Sequence, residues 1–332
     1  MGDAPRPGVA ELLDGLAVVT LPLNVRFRGV TEREVALIRG PRGWGEFAPF
    51  VEYGPAEASR WLAAAIEAAW SGWPDPVRDT VPVNATVPAV PAREVPAVLA
   101  RYDGCDTVKV KVAEPGQDEQ DDVDRVAAVR DVIGPEGRVR VDANGGWSIA
   151  QAGDALARLR RYDLEYAEQP CAAVGDLARL RVALARAGVE VPVAADESIR
   201  KAEDPLEVAR LGAADLVVVK VAPLGGVDAA LRIVAETGLP AVVSSAIDSS
   251  IGLRAGVALA AALPSLEHAC GLGTGAMLAA DVTDEPLRPH DGRLPVREVT
   301  ADPGLLEAHA AAPDRVTWWR ERITAARAQL PG

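Results

Sequence analysis

Cysteine is scarce. The 332 residues include three, Cys105, Cys171 and Cys270, too far apart for zinc-ligand spacing. They read as reduced, buried thiols that fill a core. Long apolar runs are missing: none approaches the roughly 18 residues that a membrane span requires. Excess basic charge is missing as well. Lys plus Arg number 35 against 48 Asp plus Glu, a net charge of −13, which leaves binding to nucleic acid or to an anionic membrane without an electrostatic basis. The opening residues, MGDAPRPGVAELLDG, lack a basic stretch followed by an apolar one, so a cytoplasmic protein is expected. What is present, 49% hydrophobic and 25% charged residues, suits a soluble globular chain with room for more than one domain.

The pattern changes character near residue 80. Before it, LAVVTLPL and EREVALIRG read as strands of an antiparallel hairpin or meander. GWGEFAPF reads as a strand end running into a loop, and residues 55–73 read as a helix opened by Pro and Glu and closed by Ser-Gly. The proline-rich PDPVRDTV marks a boundary. After it, eight short apolar strands alternate with Ala/Leu/Arg segments of helical length: VPVNATV, TVKVKV, RVRVD, LEYAE, VPVAADE, DLVVVK, AVVSSA and SLEHACGL. Alternating strand and helix predicts a parallel sheet with crossover helices. After residue 280 the chain turns polar and proline-rich, then ends in a helix containing Trp318 and Trp319. The expected domains are an α+β cap over 1–80, a barrel over 81–280, and a C-terminal segment, 281–332, returning to the cap.

Five charged residues stand where buried strands ought to carry none. Lys111, Asp142, Glu168, Asp196 and Lys220 each end a predicted strand, at intervals of 31, 26, 28 and 24 residues. Each interval is about one strand–helix unit. A buried charge is costly unless paired or bound to metal, so one at the same point of five successive units implies a shared site. This favours a closed barrel, whose catalytic groups gather at the C-terminal ends of the strands, over an open doubly wound sheet. Three carboxylates without a nearby His or Cys suit Mg²⁺ and disfavour zinc or copper. Taken singly, each carboxylate reads as a helix cap or a salt-bridge partner.

Strand alternation puts Lys109 and Lys111 on one side of their strand and Arg140 and Asp142 on one side of theirs. Lys111 and Lys220 then flank the carboxylates. A buried lysine near a metal can serve as a base near neutrality. It can also merely neutralise the carboxylates or form a Schiff base, and the latter needs no metal trio. A substrate carboxylate bound at such a site has its α-proton acidified, and the resulting enediolate is stabilised by metal and ammonium.

KVKV, VDANGGW, EYAEQP, VAADES and VVVKVAPLGG resemble the muconate-cycloisomerase-like branch of the enolase superfamily. The resemblance covers nearly the whole chain. It implies a modified (β/α)₇β TIM-like barrel with an α+β capping domain. It also implies Mg²⁺, with Mn²⁺ as a substitute, held by Asp142, Glu168 and Asp196, with Lys111 and Lys220 as acid/base groups. Lys109 and Asn144 match supporting positions, and Arg140 joins them by strand parity. VRFRGVTERE, GWGEFAPFVEYG and GLGTG are similar to a dehydratase subgroup of menaquinone biosynthesis. Its substrate is a small carboxylate, a cyclohexadiene bearing a succinyl group and a hydroxyl. In that reading Lys111 removes the α-proton and then assists loss of hydroxide, a syn elimination, while Lys220 holds charge opposite. N-succinylamino acid racemases share much of the pattern and remain the alternative. SLEHACGLGTGAML lacks the Asp-x-Asp of dipeptide epimerases. A non-catalytic barrel and a phosphate-binding barrel are weaker readings. Ser244, Ser245 and the backbone near Gly271 and Gly273 are expected to meet the succinyl carboxylate, or else simply to pack tightly. Phe27, Arg28, Gly29 and the loop from Phe47 to Tyr53 are expected to close the mouth, with Arg26 and Arg28 available to an anion.

Overall fold

A computed structural model describes residues 7–27, 29–201 and 204–331. Helix α1 (Val9–Leu13) leads into an antiparallel sheet of β1 (Ala17–Phe27), β2 (Val30–Gly40) and β3 (Gly43–Phe47). Period-2 alternation gives this sheet two buried faces. Val19, Leu21, Val35 and Leu37 join the barrel core, whereas Val18, Ala36 and Ile38 pack among helices. Helix α2 (Pro55–Ile66) starts on a proline and continues through a π turn, Glu67–Ser71, to Gly72 at φ 77. It lies directly on β3: a Cβ at Gly45 would sit 2.1 Å from the Ala65 carbonyl oxygen, so only glycine permits this approach.

The second part contains β4 (Thr80–Pro82), β5 (Ala85–Val87), α3 (Val95–Leu99), β6 (Thr107–Lys111), α4 (Glu119–Ile133), β7 (Arg138–Asp142) and α5 (Ile149–Leu159). It continues with β8 (Leu164–Glu168), α6 (Val174–Ala187), β9 (Val193–Ala195), α7 (Glu197–Arg200), α8 (Glu207–Arg210), β10 (Leu216–Lys220), α9 (Val221–Leu224) and α10 (Val227–Thr237). Then come β11 (Ala241–Ser244) and α11 (Ser250–Ala262). Strands β5 to β11 form one parallel sheet in chain order. The sheet closes on itself through two residues of the expected eighth strand. Cys270 bridges Val83, and Gly271 bridges Ser244. The rest of SLEHACGL is irregular, and VPVNATV is split into β4 and β5. Close packing accounts for the short closure: a Cβ at Gly271 would lie 2.5 Å from Ser244 Oγ, and one at Gly273 would lie 2.5 Å from the Asn84 carbonyl. This is a TIM-like barrel beside a separate antiparallel sheet. No helix among the described residues is long and apolar enough to cross a membrane.

The chain ends with β12 (Arg293–Pro295), antiparallel to β4, then α12 (Pro303–Ala308) and α13 (Pro313–Arg327). Helix α13 returns to the first sheet. Trp319 is fully buried, edge-on to Phe47 at 5.8 Å, and its Nε1 donates to Glu34 at 3.0 Å. Arg322 stands over both tryptophan rings and donates to the carbonyls of Phe50 and Tyr53 at 2.6 and 2.9 Å. The C-terminal helix thereby holds the loop after β3.

Two carboxylates fasten the first sheet and its helix to the barrel. Glu67 accepts from Val227 N at 2.6 Å and Asp228 N at 3.1 Å, the first amides of α10. Glu46, on β3, accepts from Ser249 N and Gly252 N, both at 3.1 Å, at the start of α11. Each supplies acceptor oxygens to the otherwise unsatisfied N–H groups of a helix N-terminus. Because Trp319 fills the junction of α13 with the sheet, Trp319→Ala is expected to cost about 3–5 kcal/mol. Urea unfolding followed by circular dichroism measures this, and a loss below about 1 kcal/mol would contradict the packing argument.

Candidate active site

The parallel register does the positioning. Lys111 pairs with Asp142 across β6 and β7, and Asp142 pairs with Glu168 across β7 and β8. One side chain from each of three strand ends thus arrives at one level. Asp196 lies one residue beyond β9, at the N-cap of α7, and Lys220 ends β10 opposite Ser244 of β11. Val108 and Val110 are fully buried toward the helices, leaving Lys109 and Lys111 facing inward.

All three carboxylates are essentially inaccessible, with Asp142 and Glu168 at 1% and Asp196 at 0% exposure. Lys109 Nζ donates to both Glu168 oxygens at 3.0 Å and lies 3.4 Å from Asp142 Oδ2. Lys111 Nζ donates to Asp142 Oδ2 at 2.5 Å and to Asn144 Oδ1 at 2.6 Å. Lys220 Nζ donates to Asp196 Oδ2 at 2.6 Å. Arg200 completes the set, its Nε on Asp196 Oδ1 at 3.1 Å and its NH2 on Glu197 Oε1 at 2.5 Å.

Burial and charge set opposite directions within the trio. Burial raises the Asp142 carboxyl, but Lys111 and Lys109 outweigh it and hold that group far below the usual range. Asp196 is lowered to about 2, with Lys220 and Arg200 overcoming burial. Glu168 goes the other way, raised to about 7 by burial and then by the Asp142 charge, with Lys109 only partly compensating. Lys220 is lowered, chiefly by burial and then by Arg200, against the pull of Asp196. Lys109 is raised, its carboxylate neighbours outweighing burial.

The all-oxygen donor set of Asp142, Glu168 and Asp196 fits a hard divalent cation. Each carboxylate is turned onto a lysine. Among the described residues, the acidic and histidine group whose ligand atoms lie within 4.8 Å of one another is a different one, Asp103, His290 and Asp291, on the exposed surface.

Above the charges lies a small cavity of about 40 Å³. Lys109, Lys111, Asp142, Asn144 and Lys220 line its floor; Ser244, Ser245, Ile247, Gly271 and Thr274 line it from the barrel; Phe27, Phe50, Tyr53 and Trp61 line it from the cap. The Phe27 ring lies 5.4 Å from Lys111 Nζ. Arg140 faces inward but one layer lower, donating to Asn84 Oδ1 and the Ala269 carbonyl and stacking on Tyr166. It does not line the cavity. Gly273 does not line it either, and the Gly271 amide is already donated to the Val243 carbonyl at 2.8 Å. Ser245 Oγ donates to the Gly271 carbonyl at 2.8 Å and shares a 2.7 Å hydrogen bond with Thr274 Oγ1. Arg26 is exposed, Gly29 is an exposed turn residue at φ 81, and Arg28 lies outside the described residues.

Sequence reading missed Arg200 and Gln169. Gln169, at φ 39 after β8, accepts from Asp196 N at 2.9 Å and Ser198 N at 3.1 Å and donates to Ser198 Oγ at 2.7 Å. It fixes the turn that presents Asp196. The available signals were Arg200 four residues after Asp196, one helical turn on, and a polar Gln inside EYAEQP.

Residues 18–69 match the enolase N-terminal domain-like family, and residues 92–306 match the enolase C-terminal domain-like family. Together with the strand-end charges, this defines an enolase-like barrel enzyme. The chain is 58% identical over 324 residues to the o-succinylbenzoate synthase of Mycobacterium ulcerans (strain Agy99), with 96% of each chain covered. It is 58% identical over 318 residues to the o-succinylbenzoate synthase of Mycobacterium leprae (strain TN), covering 96% of this chain and 92% of that one. The muconate lactonizing enzyme from Pseudomonas fluorescens, complexed with muconolactone, shares the fold at TM-score 0.76 and 23% identity, over 89% of this chain and 98% of that one. The chain belongs to the o-succinylbenzoate synthase family of the enolase superfamily, a family of lyases.

The raised Glu168 carboxyl has a consequence for stability. An unfolded glutamate titrates near 4.3, whereas the folded group is raised to about 7. Its contribution is fully present below about 4.3 and is lost as pH rises through about 7. Glu46, raised to about 8 by burial and by Asp248, acts in the same direction. Chelator-treated protein should therefore melt at lower temperature at pH 8 than at pH 5, and Glu168→Gln should make that fall shallower. Thermal unfolding at several pH values in EDTA measures both; an equally steep fall in the variant would refute the assignment.

Proposed function

We propose that this chain dehydrates 2-succinyl-6-hydroxy-2,4-cyclohexadiene-1-carboxylate to o-succinylbenzoate, a step of menaquinone biosynthesis, in the cytoplasm. The single observation that carries the reading is the in-register set of Lys111, Asp142 and Glu168, flanked by Asp196 and Lys220, in a chain 58% identical to proteins of that name. We assign the cap to residues 1–80, the barrel to 81–280, and the returning segment to 281–332.

Asp142, Glu168 and Asp196 would hold Mg²⁺, or Mn²⁺ in its place. Bound there, the cation supplies Lewis-acid stabilisation of negative charge on the substrate carboxylate. Lys111 Nζ removes the α-proton, and Asn144 Oδ1 and Asp142 orient that amine. The same nitrogen, now protonated, gives its proton to the departing hydroxyl, so one residue serves a syn elimination twice. Lys220 holds the negative charge that develops on the opposite side. Lys109 keeps Glu168 and Asp142 oriented. Phe27, Phe50 and Tyr53 exclude water over the ring. Ser244, Ser245 and the chain at Gly271 shape the end of the pocket that takes the succinyl group.

A second activity, racemisation of N-succinylamino acids, is favoured by one feature: both amines line the same cavity. Deuterium exchange at the α-carbon of an N-succinylamino acid, lost separately in Lys111→Ala and Lys220→Ala, is its signature.

The principal test follows the ultraviolet change as the ring aromatises. Activity should vanish with EDTA and return with Mg²⁺. Lys111→Ala should lower kcat by about 10²–10⁴-fold, the size of a general-base contribution, with an unchanged circular-dichroism spectrum. Asp142→Asn should abolish Mg²⁺ binding by calorimetry. Full turnover in Lys111→Ala, or in EDTA, would overturn the proposal.

A further inference from the structure

The loop between β11 and α11 forms part of the cavity wall through Ser245, Ala246 and Ile247. Ile247 is 2% exposed and sits at φ 61. Six non-glycine residues among those described have positive φ: Ala113, Asn144, Asp163, Gln169, Ile247 and Asp291. Ile247 is the one β-branched member. Its branches crowd the backbone in this left-handed region, which Gly or Asn would enter with little strain. Such a conformation persists only where the surroundings impose it.

The imposing groups come from the cap. Arg33, on β2 and 4% exposed, donates through Nε to the Ile247 carbonyl at 3.3 Å. A second guanidinium nitrogen donates to the Ala48 carbonyl, and the group lies 4.4 Å from the centre of the Phe50 ring. Phe50 lines the same cavity as Ile247. Two residues further along the loop, Glu46 accepts from Ser249 N at 3.1 Å and from Ser249 Oγ at 2.5 Å. Asp248 closes the turn by accepting from Ala246 N at 3.2 Å. One buried guanidinium therefore joins a cap wall of the cavity to a barrel wall. Its planar fork reaches two carbonyls and stacks on a ring at once, which an ammonium group cannot do.

We propose that Arg33 is a positioning residue for substrate binding: it ties the loop at Ala48–Phe50 to the strained Ile247 and so sets the wall that contacts the substrate, with Ile247 as a specificity-determining contact. This rests on the reading of the mouth as the substrate site. The acid/base and metal-binding groups are untouched by the tie, so its loss acts on binding rather than on chemistry.

The test uses the full chain with Mg²⁺ and compares wild type with Arg33→Lys, Ile247→Gly and the double variant. Arg33→Lys keeps a positive charge between Glu46 and Asp248 and removes the fork. Ile247→Gly releases the strained residue from the other end and alters no charge. Arg33→Lys should raise KM for the cyclohexadiene substrate about tenfold and leave kcat within about threefold, in line with one lost charge-assisted hydrogen bond. Mg²⁺ affinity by calorimetry should not move. Amide hydrogen exchange in residues 245–252 should accelerate, while exchange in β7 and β8 should not. Ile247→Gly should raise KM as well, and the double variant should raise it no further than the larger single effect, since both changes undo one constraint. Additive effects on KM, unaltered KM in both single variants, or a loss of kcat that tracks only the unfolded fraction would overturn the proposal. A wild-type protein inactive on this substrate sinks the reading of the mouth instead; selective exchange in residues 245–252 then decides the tie alone.

Discussion

Parallel pairing between neighbouring strands brings Lys111, Asp142 and Glu168 to one level, and burial then obliges each carboxylate to find a cation. The apolar residues of β6 to β10 make the barrel close, but hydrophobic burial has no direction and would tolerate a slip along the strands. A slip of one residue would turn every strand-end charge toward the helices. The register is thus held by the cost of misplacing charge as well as by the packing of valines. The pairs Lys109–Glu168, Lys111–Asp142 and Lys220–Asp196 are the outcome. Breaking one member of such a buried pair leaves an uncompensated charge, far costlier than the loss of an exposed salt bridge.

The two flanking amines stand in unlike surroundings. Lys111 is held by two acceptors, Asp142 and Asn144, under the Phe27 ring. Lys220 has one carboxylate, Asp196, which Arg200 also engages. Burial and the Arg200 charge lower Lys220 against the pull of Asp196. Such inequality suits a reaction in which the two sides of the substrate are treated differently, and it arises from second neighbours rather than from the lysines themselves.

Much of this was legible in the sequence because the barrel repeats. Five strand ends each carried one ionic residue, and strand parity placed Lys109 with Lys111 and Arg140 with Asp142 on inward faces. The eighth strand was legible only as a segment, since SLEHACGL has an apolar pattern but its Gly271 packs against Ser244, and Gly273 just after it packs against Asn84, leaving two bridging residues. Arg140 shows the limit of parity: it gives the face but not the depth, and two residues along a strand separate the mouth from the layer below. Gln169, Arg200 and Arg33 were illegible because their roles depend on partners from other elements. Arg33 reaches Ile247, distant in sequence, and nothing in TEREVALIRG distinguishes it from a solvated charge.

The manner of cap attachment decides what kind of closure is physically available. Val19, Leu21, Val35 and Leu37 of the first sheet share one hydrophobic core with the barrel strands. Glu67 and Glu46 sit on the N-termini of α10 and α11. Swinging the cap as a body would expose that core and strip two helix ends of their carboxylates together, so closure falls to the loops the cap carries. The segment Ala48–Tyr53 is one such loop, and it is itself restrained by Arg322 on its outer side and Arg33 on its inner side. A segment held at both sides changes shape mainly through its side chains. On the proposal made for Arg33 and Ile247, selectivity in this pocket would rest on how Phe50, Tyr53 and Ile247 are set before the substrate arrives, which is preorganisation rather than induced fit.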